Sequence, residues 1–365
     1  MKKLPPVLPG IESLVPYQPG KPIAEVKREL GIDNVIKLAS NECPLGTSPL
    51  ALAAIKTALP GIFRYPDSGF ELRQALAKTH RVNVDQVCLG NGSNEIIEFL
   101  CRTFMRPGDA ALAAAPSFLM YEKLVQVAGG VLREVPMNAE YRIDLPALLA
   151  TITPQTRLIF INNPDNPAGT IVYRQEVADF LDKVPQGVVV ALDEAYMDFV
   201  DDPQCAHGEE FLNHETPVVI MRTFSKIVGL AGLRIGYALA NEKIISYFNK
   251  VRQSFNTSML AQVAALGALD DKDFIDRHVK LVLAERQRYY EAFTSMELFY
   301  LPSQANFILV RVGRQAQEVF HKMMRQGVII RWMGSYNLPE FLRISIGLPE
   351  ENQRCLDTLR QVLGK

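Results

Sequence analysis

Between Val87 and Tyr237 short apolar runs alternate with helical hydrophobic patterns, and each run stops at a polar or glycine-rich turn. Val87-Cys88-Leu89, Leu158-Ile159-Phe160-Ile161 and Val188-Val189-Val190-Ala191-Leu192 are apolar at every position, so both faces of each strand are expected to be buried. This argues for an α/β fold, a mainly parallel sheet covered by helices on both sides. In such sheets ligands sit outside the carboxyl ends of the strands, so the residues that follow each run carry the functional question.

The run at Arg222 is followed by Thr223-Phe224-Ser225-Lys226-Ile227-Val228-Gly229, and Arg234 lies a few residues on. A lysine becomes a nucleophile toward an aldehyde when its ammonium is destabilised by desolvation or by a nearby cation. Ile227, Val228 and Leu230 offer the first condition and Arg234 the second. Thr223 and Ser225 add hydroxyls able to bind phosphate oxygens, and Arg234 a planar fork for the same dianion. The run ending at Leu192 meets Asp193-Glu194-Ala195-Tyr196. A carboxylate there can keep a heterocyclic nitrogen protonated, as pyridoxal phosphate requires to accept electrons from a substrate carbon, and Tyr196 can bond the ring's phenolic oxygen.

After Ile161 comes Asn162-Asn163-Pro164-Asp165-Asn166-Pro167-Ala168-Gly169, where prolines on both sides hold Asn166 stiffly enough to donate to that same oxygen. After Leu89 comes Gly90-Asn91-Gly92-Ser93-Asn94, a glycine turn opening a helix, where backbone amides and the positive end of the helix dipole suit a phosphate. Each segment also has an ordinary reading: a strand end with a solvated lysine, an acid capping a helix, a plain turn, a strand-helix junction that binds nothing.

In this order the four segments resemble the fold-type I pyridoxal-phosphate aminotransferases of the aspartate aminotransferase superfamily, and within it the histidinol-phosphate aminotransferase family. The likeness runs from Pro16-Tyr17-Gln18-Pro19-Gly20-Lys21-Pro22 through Leu38-Ala39-Ser40-Asn41-Glu42 and Arg64-Tyr65-Pro66-Asp67 to Leu342-Arg343-Ile344-Ser345-Ile346-Gly347. It implies pyridoxal 5'-phosphate as cofactor, Lys226 as the Schiff-base lysine, Asp193 as partner of the pyridine nitrogen, and Asn166 with Tyr196 as partners of the phenolic oxygen. Gly92, Ser93, Asn94, Thr223, Ser225 and Arg234 would hold the phosphate, with Tyr65 reaching it from a neighbouring subunit, and Phe118 would stack on the ring. Arg343 is assigned to carboxylate or phosphate recognition, Arg331 and Tyr17 to the substrate's distal anion, and Asn41 to the substrate wall. The implied reaction moves an amino group between L-histidinol phosphate and 2-oxoglutarate in histidine biosynthesis, within a homodimer that shares its sites.

Three positions depart from the family pattern. Cys43 stands in Asn41-Glu42-Cys43-Pro44 where asparagine is usual, Phe118 replaces a common tyrosine, and Trp332 in Arg331-Trp332-Met333 replaces a proline. Phe118 keeps an apolar face for stacking and loses a hydroxyl. An aromatic amino-acid aminotransferase shares these motifs, as does a decarboxylase acting on a phosphorylated amino acid. A regulator with an aminotransferase-like domain would need a DNA-binding module, for which the segment before Leu38 leaves no room.

With 365 residues two domains are expected: a large cofactor domain over 45–255 and a smaller α+β domain from 1–44 and 256–365, the N-terminal arm being placed there by the resemblance. The second half reads as a helical region from Lys243, a strand Phe307-Ile308-Leu309-Val310, a helix near Ala316 to Gln326, a strand Val328-Ile329-Ile330-Arg331, and an alternating strand carrying Arg343. The 39 Lys and Arg balance 40 Asp and Glu, which suggests no nucleic-acid partner, and no apolar stretch approaches membrane length. Pro5, Pro6 and Pro9 interrupt what Met1-Lys2-Lys3 could open as a signal peptide, so a cytoplasmic protein is expected. Five cysteines without a Cys-x-x-Cys pair suit reduced thiols, and five histidines without ligand spacing suggest structural or surface roles and no metal. Asp198-Phe199-Val200-Asp201-Asp202 reads as a solvated loop.

Overall fold

The computed structural model describes residues 20–365, with 7, 10–12, 14 and 16 of the leading segment. Its strands are β1 (Ile36–Lys37), β2 (Val87–Gly90), β3 (Ala110–Ala115), β4 (Val131–Pro136), β5 (Thr156–Asn162), β6 (Val189–Asp193), β7 (Val218–Thr223), β8 (Gly236–Ala240), β9 (Phe299–Tyr300), β10 (Phe307–Arg311), β11 (Val328–Ile329), β12 (Arg331–Trp332) and β13 (Phe341–Ser345). Seven of them form one sheet in the order β2-β8-β7-β6-β5-β3-β4. All pairings are parallel except those of β8, which runs against both β7 and β2.

The uninterrupted apolar runs are explained by the two cores. Ile159, Ile161, Val190, Leu192 and Ile220 enter the core on one face, while Leu158, Phe160, Val189, Ala191 and Val219 enter the core on the other. Successive side chains point to opposite faces, so a strand buried on both sides has no place for a polar residue until it ends.

The reversed strand has a local consequence. Because β8 runs the other way, its amino end lies on the same edge of the sheet as the carboxyl ends of β2 and β7, with Gly236 opposite both Gly90 and Thr223. Arg234, two residues before a strand, thereby joins residues that follow strands.

A second sheet, β12-β13-β10-β9, is antiparallel, and a third consists of β1 and β11 in parallel, with Ile36 opposite Val328. The single strand expected over Val328–Arg331 is therefore two. The chain leaves β1's partner after Ile329 and enters the second sheet at Arg331, which pairs with Arg343. The helix Met259–Asp270 lies on the helix Pro49–Ala58, where a Cβ on Gly267 would come within 2.9 Å of the Leu50 carbonyl oxygen. The acidic loop is solvated only in part: Phe199 is fully buried beneath it, and Asp201 pairs with the buried Arg286 at 2.9 Å. An aromatic ring in a five-residue acidic run has burial to gain that composition alone hides.

Candidate active site

The carboxyl ends of β5, β6 and β7 and the start of the helix Ser93–Phe104 surround a cavity of about 240 Å³. Ser93, Asn94, Phe118, Asn166, Asp193, Tyr196, Thr223, Ser225, Lys226 and Arg234 all line it, so ten of the residues singled out from sequence meet in one place.

Lys226 follows β7 by three residues, and its Nζ donates to the Ser40 carbonyl at 3.1 Å. Burial, then the Arg343 guanidinium, brings its pKa down to about 8. Both effects disfavour the ammonium, which is the condition for a nucleophilic amine near neutral pH.

Asp193 ends β6 and lines the cavity. Oδ2 accepts from the Tyr121 hydroxyl at 2.7 Å, while the buried Oδ1 has no partner among the described residues. Burial raises this carboxyl to about 6, against the lowering effect of the Tyr121 bond. An unsatisfied buried oxygen of this kind is costly unless a ligand supplies the donor. The Asn162 side chain buttresses the same corner: its Nδ2 donates to the Asp193 backbone carbonyl at 3.0 Å, and its Oδ1 accepts from the Asn166 backbone at 2.7 Å.

Tyr196 receives two amide donors at its hydroxyl, Asn41 Nδ2 at 3.0 Å and Asn166 Nδ2 at 3.4 Å. Asn41 is held in turn by Ser345, whose Oγ accepts from its backbone and donates to its Oδ1, both at 2.8 Å. Arg343 donates through Nη1 to Asn166 Oδ1 and through Nη2 to the Ala39 carbonyl at 3.0 Å, leaving its buried Nε without a partner among the described residues.

The hydroxyls cluster at the edge shared by β2, β8 and β7. Thr223 Oγ1 donates to Ser225 Oγ at 2.9 Å, and Arg234 Nη1 lies 3.4 Å from the same Ser225 Oγ. Two glycines make room for this cluster. A Cβ on Gly92 (φ 73°) would come within 2.5 Å of Arg234 Nη2, and one on Gly236 within 2.7 Å of the Ser93 backbone nitrogen. Backbone amides, two hydroxyls and a guanidinium thus converge as an anion cradle at a helix start.

Other expected residues lie elsewhere. Tyr65 is 82% exposed, stacks on Phe255 at 4.7 Å, and lines a broad surface groove that it shares with Asn91 and Arg234. Arg331 is cross-strand partner of Arg343 and does not line the cavity. Tyr17 lies outside the described residues. Sequence reasoning missed Tyr121, Asn162, Glu42 and the Ser40 carbonyl. Tyr121 stands at helical spacing from Phe118, a signal that could have found it, whereas Ser40 acts through its backbone and leaves none.

The aminotransferase class I and II family pattern matches residues 33–359, and the chain belongs to that family. Within it the chain is 46% identical to the histidinol-phosphate aminotransferase of Akkermansia muciniphila, with 96% of each chain covered. It is 44% identical to the histidinol-phosphate aminotransferase of an Anaeromyxobacter species over 99% of this chain and all of that protein. Among solved structures, the histidinol-phosphate aminotransferase of Sinorhizobium meliloti in complex with pyridoxal-5'-phosphate superimposes with a TM-score of 0.91 at 28% identity, covering 100% of this chain and 99% of that one. Aspartate aminotransferase from Thermus thermophilus shares the fold, with a TM-score of 0.84 at 21% identity over 98% of this chain and 100% of that one.

Proposed function

We infer that this protein transfers the amino group between L-histidinol phosphate and 2-oxoglutarate, using pyridoxal 5'-phosphate. The observation that carries the cofactor is the orphaned Oδ1 of Asp193, a residue lining the same cavity as Ser93 and Arg234 of the anion cradle. A protonated pyridine nitrogen would satisfy the first and a phosphate the second. Asn166 and Tyr196 fit the phenolic oxygen, and Phe118 offers a ring face beside it.

When bound, the cofactor supplies an aldehyde for the amino group and an electron sink for the substrate carbon. The chain's own groups do the rest. Asp193 maintains the positive charge that the sink requires. Lys226, as a free amine of weakened basicity, is placed to remove the substrate's α-proton. Arg343, fixed by Asn166 and Ala39, offers a buried cation to the substrate's anionic group, where a charge-assisted contact is stronger than in water.

The histidine-pathway assignment draws on the relatives and on the pair of arginines set opposite each other on β12 and β13. A phosphate monoester gains more from guanidinium groups than a neutral aromatic ring does. Measured kcat/KM should therefore favour histidinol phosphate over tyrosine and phenylalanine, and Arg331→Leu should narrow that preference by about tenfold or more. Preference of the wild type for an aromatic amino acid, or equal damage to every substrate, would replace this reading with an aromatic aminotransferase.

The remaining expectations stand as part of this proposal: a cytoplasmic homodimer with shared sites, and a division into 45–255 and the pair 1–44 with 256–365. The exposed Phe63, Tyr65 and Phe255 beside the groove that reaches Arg234 support the shared site, and the separate sheets support the division. Complementation between Tyr65→Phe and Lys226→Ala subunits in mixed dimers tests the first.

A further inference from the structure

The peptide units just after Lys226 are held from outside their own turn. Ser48 N donates to the Val228 carbonyl at 3.2 Å, and Thr47 Oγ1 to the Gly229 carbonyl at 3.0 Å. Gly229 has a φ of 70°, and a Cβ there would meet the Gly46 carbonyl oxygen at 2.0 Å, so loop and turn are in backbone contact. The Ile227 carbonyl, adjacent to Lys226, is taken by a side chain: His278 Nδ1 lies 2.7 Å from it. A carbonyl only accepts, so Nδ1 carries the hydrogen.

His278 projects from the long helix Lys272–Ser295 and is fully buried, with the rings of Phe199 and Phe274 edge-on to it at 5.1 and 6.4 Å. Burial lowers its pKa, against the raising effect of the Ile227 bond, and Nε2 has no partner among the described residues. Its other polar neighbour is Cys43 Sγ, 3.4 Å from Nδ1. Cys43 directly follows Asn41 and Glu42 in the chain. A buried imidazole with an unsatisfied nitrogen is a poor choice for packing alone, since an apolar ring would fill the space without that cost.

We propose that His278 is a positioning residue for Lys226, acting through the Ile227 carbonyl, and that Cys43 links this clamp to the segment bearing Asn41 and Glu42. The proposal rests on Lys226 being the reactive amine of the function inferred above. Losing the Nδ1 donor frees the Ile227–Val228 peptide, one residue beyond Lys226, and changes where the lysine's amine sits relative to Arg343, Glu42, Arg234 and Lys37, the charged groups that act on its proton affinity.

The test compares His278→Phe, which keeps a ring and loses the donor, with His278→Asn, whose amide nitrogen takes the place of Nδ1. Both are prepared as holoenzyme with thermal stability as control. For the phenylalanine variant kcat should fall about tenfold, the value of one hydrogen bond, with KM within about twofold, and the pH midpoint of the cofactor absorption band should move. The asparagine variant should recover most of both. Wild-type kcat and midpoint in a folded phenylalanine variant, or identical behaviour of the two variants, overturns the proposal. Should the phenylalanine variant not fold, His278→Met takes its place under the same criteria. Nitrogen-15 spectra of the wild type give an independent reading: a neutral Nδ1–H tautomer across neutral pH supports the clamp, and an Nε2–H tautomer or a charged ring refutes it. A wild type without a cofactor band would instead defeat the underlying functional assignment.

Discussion

The cavity has two walls of different origin. The wall at the sheet edge is built from residues that end adjacent strands, Asn166, Asp193, Thr223 and Lys226, each fixed within a few residues of a fully buried run. The other wall carries Ser40 and Glu42, in a segment backed by residues far apart in sequence: the neighbouring Asn41 is held by Ser345 across 304 residues, and Arg343 reaches Ala39 over the same separation. Rigid strand ends suit a cofactor that stays, and a wall assembled from two sheets and a leading segment suits substrates that must enter, differ and leave. Substitutions on the first wall should abolish chemistry, while those on the second should redistribute it among substrates.

The largest effect is expected at Lys226. Lys226→Ala should reduce turnover by about 10⁴-fold or more and remove the borohydride-trapped cofactor adduct, because nucleophile and proton acceptor vanish together. In the wild type, capture of pyridoxal phosphate by cofactor-free protein should rise with pH with its midpoint near 8, the lowered pKa of the amine, and level off above it. A midpoint above pH 10 would show that desolvation at this wall is ineffective.

Asp193→Ala comes next, with kcat down by roughly 10²- to 10³-fold and cofactor still bound through its phosphate cradle, an electrostatic loss of the size seen for single preorganised groups. Equal loss of binding and turnover would mean that Asp193 serves only to retain the ring. On the second wall, Asn41→Ala removes one of two donors to Tyr196 and should cost about tenfold, unequally between amino donor and acceptor. Equal loss for both would erase the distinction between the walls.

A last effect concerns stability and leaves the chemistry of both walls untouched. Asp165 is fully buried in the turn after β5; its Oδ1 accepts from Ala168 N, its Oδ2 lacks a partner among the described residues, and burial raises its pKa to about 8. The folded state keeps a proton that the unfolded chain releases near 3.8, so stability falls as pH rises from about 4 to about 8 and is then level. Asp165→Asn removes that dependence. Its thermal melting point should exceed the wild type's by an amount that grows across this window and stays constant above it.

The first wall was readable from sequence because its residues obey a local rule: a strand buried on both faces cannot carry a polar group until it stops, so the polar groups mark its end. Lys226, Asp193, Asn166 and Ser93 were found that way. Tyr121 was not, because its bond to Asp193 depends on where the helix Met120–Val127 lies across the sheet. The division of Val328–Arg331 between two sheets was equally hidden. It is decided by the pairing of β11 with β1, almost three hundred residues earlier, and no local periodicity reports it. Phe199 shows the converse failure, an acidic context concealing a core residue.

The bond between Asn41 and Ser345 also bears on time. A chain made from its amino end carries Asn41 early and Ser345 almost last, and closing so long a loop is a slow, entropically costly step. The seven-stranded sheet, complete in sequence by Ala240, can gather its cofactor residues while the ribosome is still adding the rest. For that interval the growing chain would hold the lysine and the cofactor residues without Arg343 or the segment that Ser345 secures, so both the lysine's full reactivity and its selectivity wait for the end of synthesis.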